Sequence, residues 1–411
     1  MNLEPTLLTG GVAAVLLWAW LAMYVVRIDR RRTQARVVVS TVLGTLTADD
    51  VRSLPVTERI EKILPLLERV SRDMVLHTAA DGDTPQDAVD ALTKYLVDRW
   101  GIYMLVREAS FHRKSRDIWR RTASIKVLFH LDHPQVVEIL ARAIDSPTAE
   151  VASVGLTLLG MSTDPRAPEV LIDALKGRKH PASRIAVHLE HSPLRPADAY
   201  RPLLRDVDPV VRFWGATLLA EYSDVEWVES ELAPLVHDAD PRVRKAAIQS
   251  LGQVGDEIAA SSALMLLKDS APFVRAHAAR ALGELERVDA APVVAELLGD
   301  EDWWVRVAAK GSLEAMGSEI WPVLMRCLGH QDEFVRNGAA EVFQNLGILD
   351  SLIVMEAASD DPSHAKIDLL RRIAAAGGLR MTNSLIERAG AAAPRVRQLL
   401  TTMGMEEVGA A

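Results

Sequence analysis

Five stretches of this chain share one frame: DVDPVVRFWGATLLA from Asp206, DADPRVRKAAIQSLG from Asp238, DSAPFVRAHAARALG from Asp269, DEDWWVRVAAKGSLE from Asp300 and HQDEFVRNGAAEVFQ from His330. Aligned on their Val-Arg pair, Arg212, Arg244, Arg275, Arg306 and Arg336 stand 32, 31, 31 and 30 residues apart. The same spacing runs forward to Lys366 and Arg397, and backward to Arg184, Ala152 and the Arg120-Arg121 pair. A period near thirty, held over some nine or ten copies, constrains the fold more than any single motif does. Units this small cannot bury their own apolar stripe, so they must stack on their neighbours.

Each copy reads as two helices. In DADPRVRKAAIQSLGQVG the acid is placed to accept from free N-terminal N–H groups, and Pro241 suits a first turn. Val243, Ala247 and Leu251 recur at four-residue spacing, one helical stripe, and Gly252 or Gly255 supplies the stop. A second amphipathic segment follows, such as EIAASSALMLLKD, AAPVVAELLGD or EIWPVLMRCLG. Asp240 and Arg244 therefore read as a cap and part of a hydrogen-bonding ladder between units rather than as an acid–base pair.

These units resemble HEAT repeats, of the short type found in phycobilisome-lyase-like proteins, over roughly 118–403 and most clearly over 206–347. The resemblance implies an all-α fold: a right-handed α-solenoid of about nine to ten HEAT-like two-helix repeats. Such arrays serve scaffolds, adaptors and some enzymes alike, so the resemblance fixes architecture more than activity. Residues 33–117 depart from the repeat and read as a helical lead-in, with two short helices broken at Pro55, a loop at 80–83 and a capped helix beginning at Thr84. Residues 404–411 form a tail.

Residues 7–26, LLTGGVAAVLLWAWLAMYVV, carry no charge. Twenty helical residues reach roughly 30 Å, the hydrocarbon thickness of a bilayer. Trp18, Trp20 and Tyr24 fall toward one end, and Arg27, Arg30, Arg31, Arg32 and Arg36 follow. The expectation is a single transmembrane helix within an anchor over 1–32, in the inner membrane. The arginines would lie at the cytoplasmic surface with the solenoid, and the N-terminus outside.

Chemistry is sparse. A net charge of −9 disfavours nucleic acid as a partner. A single cysteine, Cys327, excludes an intrachain disulfide and any multi-cysteine metal site. Phosphate-binding glycine loops, a zinc-binding H-E-x-x-H and a G-x-S-x-G elbow are all missing from the sequence. His188 and His191 share a helical face near Glu190 but lack a third ligand. Deoxyhypusine hydroxylase, which shares the repeat fold, binds iron through His-Glu dipeptides; none of the 11 histidines here precedes a Glu. No cofactor or metal is indicated. The basic stretch REASFHRKSRDIWRR, 107–121, reads as a solvated face or a contact for an acidic surface.

The informative position is the one before the motif Val, occupied by Val210, Arg242, Phe273, Trp304 and Phe334. Three aromatics in consecutive copies, with Trp303 beside them where Pro is usual, give either a protein-binding ridge or rings that each cover a neighbouring loop. Phe213 and Trp214 are a second candidate pair. The function this supports is a membrane-tethered scaffold or adaptor that binds a membrane-associated protein partner, as in an envelope or polysaccharide-synthesis complex. The alternative is a lyase-like enzyme using the concave groove.

Overall fold

The computed structural model describes residues 37–68, 70–110, 118–255 and 257–347, together with 372, 386 and 393–402, and among them every regular element is helical. The chain divides into two compact units, Met1–Leu194 and Arg195–Ala411. The first holds α1 (37–46), α2 (Asp49–Arg52), α3 (Val56–Leu67), α4 (Arg72–Ala79), α5 (Gln86–Trp100), α6 (Ile102–Ser110), α7 (Ile118–His130), α8 (Val136–Ile144), α9 (Ala149–Met161), α10 (Ala167–Gly177) and α11 (Ala182–Glu190). The second holds α12 (Ala197–Tyr200), α13 (Pro209–Leu218), α14 (Val228–Leu232), α15 (Pro241–Val254), α16 (Glu257–Leu266), α17 (Pro272–Glu284), α18 (Ala291–Glu296), α19 (Trp303–Ala315), α20 (Trp321–Cys327), α21 (Glu333–Asn345) and α22 (Ala393–Thr402).

In the first unit the lead-in helices join the repeats: α6 packs on α7, α4 on both α5 and α7, and α9 on α7, α8, α10 and α11. Pro55 separates α2 from α3, as its fixed φ and missing N–H dictate. Thr84 is not a cap. Its hydroxyl donates back to the Thr78 carbonyl at 2.8 Å, and Pro85 stands at the start of α5.

The second unit follows the repeat frame closely. Helices α13, α15, α17, α19 and α21 stack in that order, with α16, α18 and α20 packed beside them. The motif valines Val211, Val243, Val274, Val305 and Val335 are buried, as are Leu219, Leu251, Leu282, Leu313 and Phe343 one stripe further on. Pro209, Pro241 and Pro272 occupy first turns, where no N–H is missed. Several second helices end or begin in short 3-10 turns, such as Leu297–Gly299 and Ser318–Ile320.

Gly252 does not stop its helix. It lies inside α15, which ends at Gly255, and it lets α17 approach: a Cβ there would meet that of Ala281 at 3.2 Å. Gly283, the same position one repeat on, lies so close to α19 that a Cβ would fall 2.7 Å from Ser312 Cα. Hydroxyls bridge the α13–α15 and α17–α19 seams. Ser250 donates to the Ala216 carbonyl at 2.9 Å and Ser312 to the Ala279 carbonyl at 2.6 Å.

The expectation of a single-pass inner-membrane protein needs correction. Residues 7–26 and the arginines Arg27, Arg30, Arg31, Arg32 and Arg36 lie outside the described residues. Among the described residues no helix is long and apolar enough to cross a membrane. The physical reason is length and pattern: α5, one of the longer helices, has 15 residues against the roughly 20 a bilayer requires, and it carries a polar face.

Candidate functional site

The acids of the repeat divide into two roles. The second acid caps: Asp208, Asp240, Asp302 and Asp332 accept from the N–H of Val210, Arg242, Trp304 and Phe334 at 2.7–2.9 Å. The first acid turns the chain, since Asp238 accepts from the N–H of Asp240 at 2.9 Å, and Asp269 and Asp300 do the same. That first acid also receives a guanidinium from the repeat before it. Arg212 grips Asp238 with Nε and Nη2 at 2.7 and 2.8 Å, Arg244 grips Asp269 at 2.7 and 2.8 Å, and Arg275 grips Asp300 at 2.9 and 2.8 Å. The Nη1 of each arginine donates to carbonyls of its own loop, such as that of Asp238 at 2.9 Å from Arg244. Bidentate forks of this kind fix both distance and orientation between neighbours.

Burial pushes the carboxyls of Asp238, Asp269 and Asp300 up, but the arginine fork and the donated N–H outweigh it and hold them below the usual carboxylate range. Arg242 pairs with the cap of its own helix, and its guanidinium holds the Asp240 carboxyl at about 2. The first unit carries a neutral version of the rung: Arg121 Nη1 donates to Ser146 Oγ at 3.1 Å, and Ser146 stands where the acid stands elsewhere.

Among the described residues of the second unit, the ladder loses its acid at the α19–α21 junction. His330 occupies the first-acid position of the last described copy and still accepts from the Asp332 N–H through Nδ1 at 3.1 Å, but it offers Arg306 no carboxylate. Arg306 keeps its Nη1 bonds to the carbonyls of Asp300 and Glu301, at 2.7 and 3.1 Å. Its guanidinium lies instead over the ring of Phe334, 4.4 Å from the centroid. The glycine seam stops at the same junction, because Glu314 follows Gly283 in register and accepts from Asn345 at 2.7 Å.

Beside this junction stand the aromatics. Phe273, Trp303, Trp304 and Phe334 are 41, 56, 61 and 57% exposed, on the first turns of the successively stacked α17, α19 and α21. The rings of Trp303 and Trp304 meet edge to face, 4.5 Å apart. Phe213 and Trp214 form a similar pair at 5.0 Å but are half-buried and sit two repeats away on α13. The sequence pattern brought out the aromatics; Arg306 and His330 escaped it, although a His for Asp exchange in a fixed frame was the available signal.

The other candidates resolve into packing. His188 lies against α9, where a Cβ on Gly160 would come within 2.8 Å of its own, and burial first, then Arg184 and His191, push its pKa down. His191 hydrogen-bonds the Val187 carbonyl at 2.7 Å. Among the described residues no group of three or more His, Cys, Asp or Glu could hold a metal ion. Part of the basic stretch, 111–117, lies outside the described residues, while Arg121 within it is buried. A groove of about 460 Å³ runs beside α18 and α20, lined by Glu296, Arg326, Cys327, His330 and Asp332 among others. Burial pushes the Cys327 thiol up, away from the reactive thiolate.

A family model described as HEAT repeats matches residues 197–276 and 262–344, so this chain carries HEAT repeats there. The match does not extend to the phycobilisome-lyase-like type. No curated protein matches the chain in sequence. Among solved structures it is similar to an engineered protein, at 17% identity over 89% of this chain and 99% of that one, with a TM-score of 0.38. A Kap121p mutant is similar at 14% identity over 85% of this chain and 46% of that one, with a TM-score of 0.45. Human deoxyhypusine hydroxylase, in complex with glycerol, is similar at 17% identity over 62% of this chain and 99% of that one, with a TM-score of 0.27. These likenesses concern the helical architecture and nothing beyond it.

Proposed function

We propose that this chain of HEAT repeats is a non-catalytic scaffold that binds a protein partner along the ridge of Phe273, Trp303, Trp304 and Phe334. The repeat is read as continuing through about nine to ten copies over 118–403, with the ridge near the C-terminal half. One observation carries the reading: large rings at equivalent positions of three successive repeats stand substantially in solvent. Each transfers apolar area from water on contact, at roughly 25 cal/mol per Å², and Trp is enriched among the residues that dominate binding energy. A row of such anchors on stacked helices suits an extended segment better than a small molecule.

The test is affinity capture with the full chain and with a Phe273→Ala/Trp304→Ala/Phe334→Ala variant whose helicity is checked by circular dichroism. The proposal expects a partner held by the parent chain and lost by the folded variant. A partner held equally by both removes the ridge as its binding surface.

A further inference from the structure

The proposal that a partner binds the ridge leaves its chemistry open, and the broken rung supplies it. Three arginines in register, Arg212, Arg244 and Arg275, each present Nε and Nη2 to one carboxylate at 2.7–2.9 Å. Arg306 is held in the same way by its own loop through Nη1, yet its Nε and Nη2 meet no acceptor among the described residues. The difference traces to His330, which stands where Asp238, Asp269 and Asp300 stand in the earlier copies. We infer that Arg306 receives a carboxylate from the partner: an Asp or Glu of a protein segment laid along the ridge, taking the place that the chain's own acid fills in the other rungs.

The surroundings favour that occupant. The Phe334 ring beneath the guanidinium, 4.4 Å from its centroid, limits the directions in which Arg306 can turn. Trp304 lies two residues upstream on the same helix and Phe334 on the next, so a carboxylate seated there would be flanked by exposed rings. An acidic residue with apolar neighbours is the matching sequence. The nearby first turns carry Glu301, Asp302, Asp332 and Glu333, so no broad positive field draws the partner in. Recognition rests on the fork itself, which holds Asp300 at Arg275 beside the same Glu301 and Asp302. A carboxylate rather than a phosphate is assigned because the neighbouring rungs are built to carboxylate dimensions.

The inference rests on the ridge reading, and its test separates the two. A displayed library of random twelve-residue peptides is selected on the full chain. The retained peptides are then measured on His330→Asp, Arg306→Gln and Trp304→Ala/Phe334→Ala variants. Selected peptides should be enriched in Asp or Glu, and retention should fall about tenfold or more on both His330→Asp and Arg306→Gln, the loss of one charge-assisted fork. His330→Asp is the sharper variant, since it fills the rung from within while leaving the aromatics and the fold intact. Peptides lost on Trp304→Ala/Phe334→Ala but kept on His330→Asp would overturn the carboxylate assignment and leave the ridge standing. Peptides kept on Trp304→Ala/Phe334→Ala, or none selected at all, would overturn both. Elution by inorganic phosphate at concentrations where acetate fails would give the site to phosphate and likewise overturn the assignment.

Discussion

The Arg244 guanidinium grips Asp269 of the following repeat, at 2.7 and 2.8 Å, and not Asp240 of its own. Asp240 caps the helix that carries Arg244, and Arg242 covers it. One short motif thus has one acid that starts a helix and another that the preceding unit holds. The spacing of the repeats is set by the second, because a bidentate fork tolerates little change in distance. Where that acid becomes His330, the seam loses its clamp and a guanidinium is released to other work.

Coupling across the seam is therefore directional. Arg244→Ala should cost about 3 kcal/mol, the usual result of stripping one partner from a largely buried pair. A double-mutant cycle of Arg244→Ala with Asp269→Ala should show a coupling of about 1–3 kcal/mol, while the cycle with Asp240→Ala should be additive to within about 0.5 kcal/mol. Urea unfolding measures both; a larger coupling to Asp240 would mean that the acid roles are reversed.

His330→Asp should stabilise the second unit by about 1 kcal/mol, as one more charge-assisted fork is added across the α19–α21 seam. Differential scanning calorimetry should show a rise in Tm of a few degrees. An unchanged or lowered Tm would indicate that Arg306 cannot reach the new carboxylate.

Two helical glycines, one at a seam and one facing solvent, should respond with opposite sign. Gly283→Ala forces a Cβ to within 2.7 Å of Ser312 Cα, and overpacking of this kind costs about 1–3 kcal/mol. Gly311, exposed on α19, has nothing within 4 Å of an added Cβ. There Gly311→Ala should stabilise by about 0.5–1 kcal/mol through helix propensity alone. Chemical denaturation of the pair reads both signs.

Stability should fall in two steps on acidification. His277 on α17 is held down to about 4, first by burial and then by Lys245 and Arg280, so it folds neutral. The unfolded chain takes up its proton below about 6.5, so stability declines as pH falls from there to about 4, and His277→Gln should flatten that step. The lowered carboxyls of Asp238, Asp240, Asp269 and Asp300 act below it. Their contribution is present above the unfolded value near 4 and is lost as pH falls through the folded values, about 2 for Asp240. A urea midpoint that is flat from pH 7 to 4.5 would remove the histidine from this account.

Much of the second unit was legible because its period is strict. Val243, Ala247 and Leu251 read as one stripe, and all three are buried. The prolines and the second acids read as helix openings and stand there. What the letters hid was which neighbour each side chain meets. Gly252 and Gly255 read as alternative stops because glycine ends helices in general; Gly255 stands at the helix end, and Gly252 serves close approach to Ala281. His330 aligned as one more copy, and only the position of Arg306 gives the exchange a consequence. Thr84 fitted a capping pattern, but its hydroxyl found the Thr78 carbonyl. The long apolar run at 7–26 suggested an anchor, whereas no described helix has the length and apolarity to cross a membrane.

The most direct measurement of the central claim is site-specific photo-crosslinking in cells that express the full chain. The photoreactive phenylalanine analogue is placed at Trp304, at Phe334 or at Trp321, an exposed ring on α20 outside the ridge. Binding along the ridge predicts one protein adduct shared by positions 304 and 334 and absent at 321. Adducts at 321 alone, or none at 304 and 334, would contradict it.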